Sequence, residues 1–407
     1  MFNFYRFFSI LFIPIVYLNI FLRLINNKED KKRYKERFGL TNKNKPEKNI
    51  IWIHAASVGE FKSSRMIIDS YYKNYSILVT TTTKSAAEYA NNFYSDKIIH
   101  QYAPFDVEIW IKRFLNFWQP KLVIWIESDF WPIILNAIKQ NNIKCILINA
   151  RISPTSFKRW KLFRKNYNNI LSTFDRIFVQ SKEDLKRFKY LSDKKIEFIG
   201  NLKLAKGSIE NLKPKKNNDE KIIMFTSTHK EEEGILLEII EKIYIKYNFT
   251  KFYIAPRHPE RSDFIKQNLK KIIPGLNFEN NGSHKNLRIT IIDSFGKLPK
   301  YFNLSDIVFL GGSFSNNGGH NPIEAANYDC AIVSGNRVFN WHNIYTEMES
   351  ENACFLINKK NELETLIEKL INNENMLKKS KQNAKKFAGK KFFDEEKIKN
   401  IINSNLI

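Results

Sequence analysis

Several familiar architectures are excluded by what this chain lacks. Its three cysteines, Cys145, Cys330 and Cys354, lie far apart and never form a CxxC pair. A disulfide framework and a cysteine zinc site are therefore out, and a reducing compartment is implied. The seven histidines make no HExxH and no His-x-His pair, so no dedicated metal site is expected. Glycine (14) and proline (12) are scarce among 407 residues, which removes collagen-like and low-complexity readings. There is no GxxxxGK[ST] phosphate loop, no GxGxxG after a strand and no Asp-x-Asp. Acidic residues are also few, 42 against 66 Lys and Arg, for a formal charge of +24. An anionic partner follows, whether nucleic acid, a membrane surface or a phosphorylated substrate; drift toward Lys, Asn and Ile explains the charge equally well.

Hydrophobic residues at 43% and charged residues at 27% are ordinary globular usage, and the length suits two or three domains. The longest apolar run is at the amino terminus, Phe7–Leu22, broken only by Ser9, Pro14 and Asn19. From Phe2 to Ile25 it is long enough to cross a bilayer, with Arg6 and Arg23 at the interfaces. The basic stretch Lys28–Gly39 then places the rest of the chain on the cytoplasmic side. No small-residue cleavage site follows, so the segment reads as a retained anchor. A single span is the first reading; a helix lying in the membrane plane and a buried soluble helix are the alternatives.

From residue 50 short Ile-, Val- and Phe-rich runs alternate with longer stretches of helical period. Strands are expected at 50–54, 77–81, 98–102, 122–126, 145–148 and 176–179, with helices at 60–72, 85–93, 107–118 and 131–140. This alternation predicts a parallel sheet covered on both faces. The polar stretch 204–220 reads as a linker. A second alternating block follows, with strands at 222–226, 252–255, 289–292, 307–310 and 331–333. The tail after 362 is Lys-rich and helical. Two similar α/β halves predict a ligand cleft between them, at the carboxyl ends of their strands.

The chemistry-bearing clusters fall at those strand ends. HAASVGEF (54–61) follows the first strand and sets Glu60 in the first turn of a helix. There it is either a dipole-stabilised carboxylate or a general base. WIESDFWP (125–132) holds Glu127 and Asp129 beside two Trp. NARIS (149–153) leads into SFKRWKLFRKNY (156–167), where Lys and Arg interleave with aromatics. That pattern suits an anionic membrane or phosphorylated lipid, a nucleic-acid backbone, or only a solvated helix face. In the second half, GNLK (200–203) precedes the linker. STHKEEE (227–233) follows a strand, with Thr228 as a candidate N-cap. PRHPER (256–261) gathers two Arg and a His between prolines, which suits phosphate recognition. GGS (311–313) and GGHNPIEAA (318–326) offer close backbone approach and a helix start.

In this order, these motifs resemble those of 3-deoxy-D-manno-octulosonic acid (Kdo) transferases, over roughly residues 5–400. PRHPER and GGHNPIEAA are the most specific, and HAASVGE adds to them. The resemblance implies a GT-B glycosyltransferase fold: two Rossmann-like doubly wound domains facing across a cleft, with an N-terminal membrane-anchor helix. The divisions would be 1–27 for the anchor, 28–204 for the acceptor domain and 205–220 for the linker. The donor domain would be 221–385, with 386–407 a C-terminal helix free to pack back on the first domain. The implied activity is inverting transfer of Kdo from CMP-Kdo to lipid IV(A) at the cytoplasmic face of the inner membrane, with no cofactor, no catalytic metal and no nucleic-acid partner.

By position in the motifs, Glu60 matches the family's base and Glu127 its assisting acid. Lys203, Ser227, Thr228, Arg257, His258, Gly311, Gly312, Ser313, Gly319, His320, Asn321 and Glu324 fall on the donor side. Ser57, Arg151, Lys158 and Arg159 are the acceptor-side candidates. The chain departs from the family at Ser128, Asp129 and Ile133, at Ala325 where the family has Pro, and at Asn336, also a family Pro. Two other readings are a GT-B enzyme with a UDP-sugar donor and a membrane-tethered binder of nucleic acid or anionic lipid. CMP against UDP binding separates the first; the second predicts steeply salt-dependent nucleic-acid binding.

Overall fold

The computed structural model describes residues 2–204, 220–276, 278–280, 287–294, 296–359, 361–390 and 393–406. The stretch read as a linker lies outside them from 205 to 219. The chain divides into two compact units: Met1–Gly207 with Lys391–Ile407, and Ser208–Lys390.

Unit one opens with helices α1 (Phe2–Leu11) and α2 (Ile13–Ile25). A doubly wound alternation follows: β1 (Ile50–His54), α3 (Val58–Tyr71), β2 (Ser76–Thr81), α4 (Lys84–Tyr94), β3 (Ile99–Tyr102), α5 (Glu108–Trp118), β4 (Leu122–Ile126), α6 (Pro132–Gln140) and β5 (Lys144–Ala150). Then come α7 (Pro154–Leu162), α8 (Arg164–Leu171), β6 (Arg176–Val179), α9 (Lys182–Leu191) and β7 (Ile196–Phe198). The strand order is β3-β2-β1-β4-β5-β6-β7, with every pairing parallel. Ile51, Trp52, Ile53, Val123, Ile124 and Trp125 are fully buried, as strands covered on both faces must be.

Unit two repeats the scheme with β8 (Lys221–Thr228), α10 (Lys230–Lys246), β9 (Thr250–Pro256), α11 (Ser262–Ile272), β10 (Glu279–Asn280), β11 (Ile289–Ile291), α12 (Leu298–Leu304) and β12 (Ile307–Leu310). It continues through α13 (Pro322–Ala326), β13 (Ala331–Gly335), α14 (His342–Ser350), β14 (Phe355–Ile357), α15 (Asn361–Asn372) and α16 (Glu374–Ala388). Its order is β10-β11-β9-β8-β12-β13-β14, again parallel. In each sheet the chain leaves the central strand in one direction and returns on its other side. The switch points are β1/β4 and β8/β12, where open α/β sheets present their ligand loops.

Two features of unit one bear on the sequence expectations. The last helix, α17 (Glu395–Leu406), belongs to unit one. Ile398, Ile401, Ile402 and Leu406 join the core formed by Ile51, Ile53, Ile67 and Ile68. The Tyr71 hydroxyl donates to Asn403 Oδ1 at 2.8 Å. Phe393 bridges to Gly200 just before this helix.

The amino-terminal segment is not the single straight helix read from its hydropathy. Phe12 separates α1 from α2, Pro14 stands in the first turn of α2, and the axis bends by 53°. Proline stops the first helix because its ring clashes with the preceding turn and its nitrogen has no proton to donate. Among the described residues no single helix is long and apolar enough to cross a membrane; the bent pair passes that test only together. Most of its apolar side chains, including Phe4, Phe7, Leu11, Ile15 and Phe21, are exposed. Ile20 instead packs on Phe38, Val107 and Trp110.

The junction after α2 is charged and buried. Arg23 Nε meets Glu29 Oε2 at 3.1 Å, and Glu29 Oε1 meets Arg37 Nη2 at 3.2 Å. Arg37 also donates to the Thr82 carbonyl at 2.7 Å. Buried charges of this kind persist only when paired and hydrogen-bonded.

Candidate active site

At the β1/β4 switch point the sequence turns sharply from strand to helix. Ser57 is the N-cap of α3: its Oγ accepts from the Glu60 N–H at 3.3 Å and its hydroxyl donates to Glu60 Oε1 at 3.0 Å. The Ala56 N–H donates to Glu60 Oε2 at 2.6 Å. Both carboxylate oxygens are thus fixed by their own turn, as in a capping box. Ser57, an acceptor-side candidate, uses its hydroxyl to hold Glu60.

Partial burial and the neighbouring charge of Glu127 push the Glu60 carboxyl up to about 7; the Ala56 and Ser57 bonds pull the other way, and Asp129 adds to the rise. A carboxylate that exchanges its proton near neutrality can take a proton from a hydroxyl and release it again.

Glu127, just after β4, has φ +62°, and Asn149 near the end of β5 also has φ +62°. Such left-handed residues other than glycine are held only where their surroundings fix them. Glu127 is buried, with Asn149 Nδ2 at 3.5 Å and Arg151 Nε at 3.9 Å. The Asn149 Oδ1 accepts from the Leu202 N–H at 2.9 Å. Ser128 Oγ accepts from the Arg151 N–H at 3.0 Å, tying the two strand-end loops together. The motif's Trp125 is core, its ring 4.1 Å from that of His54. His54 is buried, bonded to Thr80 Oγ1 at 2.9 Å, and burial lowers its pKa to about 3. It is a neutral packing residue beside the site.

Ser153 caps α7 by accepting from the Ser156 N–H at 3.1 Å. Lys158, Arg159 and Lys161 are exposed on this helix, and Arg164 and Lys165 are exposed at the start of α8. Leu162 is 80% exposed at its end, with Phe163 beside it.

At the β8/β12 switch point the loops interlock. Ser227 has φ +55°. Thr228, the N-cap candidate, is instead the last residue of β8; His229 is the N-cap of α10. The acids that follow are structural. Glu232, fully buried, accepts from the Gly312 N–H at 2.6 Å and from the His229 N–H at 3.0 Å. Burial raises its carboxyl, against the backbone N–H groups around it. Glu233 is paired with Arg261 through contacts of 2.6–3.0 Å. Arg261, one of the two arginines that PRHPER gathers, is therefore already engaged, while Arg257 and His258 are exposed. Thr228 contributes its carbonyl, which accepts from the Arg257 N–H at 3.0 Å.

The GGS turn explains its own glycines. A side chain on Gly311 would collide with Glu232 and the Ser227 carbonyl, and Gly312 has φ +66° with the His229 and His320 rings against it. Ser313 turns inward: its hydroxyl donates to the Leu310 carbonyl at 2.8 Å and accepts from the Gly335 N–H at 2.8 Å. Gly319 has φ +72° beside Val338. Asn321 caps α13 by accepting from the Ile323 N–H at 3.0 Å. Glu324 is exposed on that helix. The side chain of Lys203 lies outside the described residues.

Sequence reasoning missed His229. Its Nε2 lies 3.1 Å from His320 Nε2, with the rings nearly parallel, and the His258 ring stands 6.0 Å away. Burial, then His229 and Arg257, lower His320 to about 3, and burial followed by His258 lowers His229. Only the fold shows this pairing, because the partners are 91 residues apart.

Two parallel, doubly wound sheets with their polar loops at the switch points define a glycosyltransferase-like fold of the GT-B type. A glycosyltransferase from Rickettsia africae shares it with a TM-score of 0.59 at 15% identity, over 89% of this chain and 99% of that one. A UDP-N-acetylglucosamine 2-epimerase shares it with a TM-score of 0.60 at 12% identity, over 89% and 96%. Sequence is more specific. Residues 32–206 match the family model described as 3-deoxy-D-manno-octulosonic-acid transferase (kdotransferase). The 3-deoxy-D-manno-octulosonic acid transferase of Rickettsia bellii is 34% identical over 97% of this chain and 98% of its own length. That of Haemophilus influenzae is 30% identical over 89% and 88%. The chain belongs to the 3-deoxy-D-manno-octulosonic acid transferase family and is a glycosyltransferase.

Proposed function

We propose that this enzyme moves Kdo from CMP-Kdo to the hydroxyl of a phosphorylated lipid A precursor, lipid IV(A), in lipopolysaccharide synthesis, with inversion at the anomeric carbon. The observation that carries the reading is Glu60: a carboxylate fixed at a switch point, with its pKa raised to about 7. The acceptor hydroxyl gives its proton to Glu60 as its oxygen attacks the anomeric carbon. The bond from that carbon to the phosphate oxygen breaks with its electron pair, so the phosphate gains one negative charge as CMP departs. Glu127 supports the base by keeping a negative charge beside it, which holds its pKa up.

Unit two is the donor side in this reading. Arg257 and His258 are exposed beside the glycine turns, and Glu324 is free to accept from a ribose hydroxyl. Fixed cationic and N–H donors are what a departing phosphate needs. Unit one takes the lipid. The exposed Lys158, Arg159, Lys161, Arg164 and Lys165 suit anionic headgroups, with Leu162 and Phe163 set to enter the interface. The bent pair α1–α2 lies along the same membrane as an in-plane anchor, because its Ile20 face is already docked on the protein.

The deciding assay gives purified protein CMP-Kdo and lipid IV(A) and follows the product by mass spectrometry. Wild type yields the adduct, and the number of added Kdo masses counts the transfers. Folded Glu60→Ala yields none. An equally active mutant would leave the reaction standing and remove Glu60 as base. No product from well-folded wild type would turn the reading toward another sugar donor, tested first by CMP against UDP binding.

A further inference from the structure

We infer that His229 and His320 form a proton-gated phosphate catch, which takes up one proton when the donor's phosphate binds and returns it when CMP leaves. This rests on the donor-side reading of unit two. The geometry is the starting point. Two Nε2 atoms 3.1 Å apart must share a single proton, one ring donating and the other accepting. A further proton on the accepting Nε2 would set two N–H donors against each other and turn one of the neutral rings into a cation.

The charged and titratable groups around the pair mostly oppose that further proton. Arg257 and His258, just after β9, act against it, and Glu231 in the first turn of α10 favours it. Glu232, also in that turn, is committed to the backbone N–H groups of His229 and Gly312. Tyr345 in α14 meets His320 through its hydroxyl, which donates to the His320 carbonyl at 3.0 Å and brings no charge. While the site is empty both rings are therefore neutral, with one proton between the two Nε2 atoms. Burial acts in the same direction, holding His320 near 3.

A phosphate group reverses this balance. It supplies the negative charge that Arg257 and the pair, with both Nε2 atoms protonated, can share. A proton from solvent then binds the accepting Nε2 lone pair, the bond between the two nitrogens breaks, and both N–H groups donate to phosphate oxygens. Gly312 lies against both rings without a side chain, so a phosphate oxygen can approach where a Cβ would stand. The catch suits the reaction's charge change, because the phosphate bears one more negative charge as CMP than it does in the donor. Charge-assisted N–H donors are strongest where that charge accumulates.

The test is calorimetric titration of the full-length protein with CMP at pH 7, in two buffers of different ionisation heat. Wild type is expected to take up ~0.5–1 proton per CMP, with affinity falling toward roughly tenfold per pH unit as pH rises. His320→Asn and His229→Asn keep the backbone N–H bonds of the loop, and CMP binds them more weakly with no proton uptake. Far-UV circular dichroism and a thermal melt establish that both variants are folded. CMP binding to wild type without proton uptake, or uptake that persists in both folded variants, overturns the catch and leaves the donor site in place. No CMP binding by folded wild type overturns the donor reading and the catch with it.

Discussion

The two units place a glutamate at the same station and surround it in opposite ways. Glu60 and Glu232 each stand three residues after the N-cap of the helix that leaves the central strand of their sheet. Glu60 is held by Ala56 and Ser57 of its own turn and stays partly exposed. Glu232 is fully buried and reaches across to the loop of the neighbouring strand, where Gly312 donates to it. Position within a fold thus does not decide how exposed a carboxylate stays. What decides is what surrounds the carboxylate after its local hydrogen bonds are made: solvent and a second carboxylate for Glu60, closed backbone for Glu232.

The largest effect that tests this contrast is Glu60→Gln. Loss of a general base lowers turnover by about 10²–10⁴-fold, read as kcat in the lipid IV(A) assay, while the circular dichroism spectrum is unchanged. A smaller loss would mean that Glu60 is structural, like its counterpart. Glu232→Ala is the reverse case. It leaves the Gly312 and His229 N–H groups without their acceptor, and urea denaturation of unit two should show a loss of about 2–4 kcal/mol. A stable Glu232→Ala protein that has lost only activity would erase the distinction.

Next comes pH. The folded pKa of Glu60, about 7, lies above the ordinary carboxylate value of 4.5. Between these values the folded protein keeps a proton that the unfolded chain has released, so this group's contribution to stability falls as pH rises through the window. Glu60→Gln should therefore be more stable than wild type by up to ~3 kcal/mol at pH 8 and about equal to it at pH 4. Wild-type kcat/KM should rise with pH through about 7 as the base ionises. A profile flat from pH 5 to 9 counts against the assignment. The smallest effect belongs to Ser57→Ala. Loss of the N-cap costs about 1 kcal/mol, and loss of the hydroxyl donor moves the Glu60 pKa further up, shifting the pH–rate limb in the same direction.

The long interior strands were legible because burial on both faces leaves continuous apolar runs. The runs 50–54, 122–126, 176–179 and 307–310 match their strands at both ends, and 77–81 matches β2 to within a residue. The edge strands β7, β10 and β14 were missed: two or three residues such as Ile196-Glu197-Phe198 carry no pattern to read. The amino-terminal helix was read from hydropathy alone, and Pro14 was counted as an interruption when it is the bend. In the site, the motif positions of Glu60 and Glu127 were legible. The left-handed backbone of Glu127, Asn149 and Ser227 was not, because tertiary contacts impose it. The commitments of Glu232 to Gly312 and of His229 to His320 depend on contacts 80 and 91 residues apart, which no local pattern encodes.

The return of α17 to unit one has a consequence for how the protein is made. Ile398, Ile401, Ile402 and Leu406 complete a core whose other members, such as Ile51 and Ile67, leave the ribosome hundreds of residues earlier. Domains generally fold in order of synthesis, but the core of unit one lacks these four side chains until α17 has been made. Unit two, continuous in sequence, is able to fold before it. A premature stop shortly before residue 393 would thus spare unit two and leave the unit that carries Glu60 without α17.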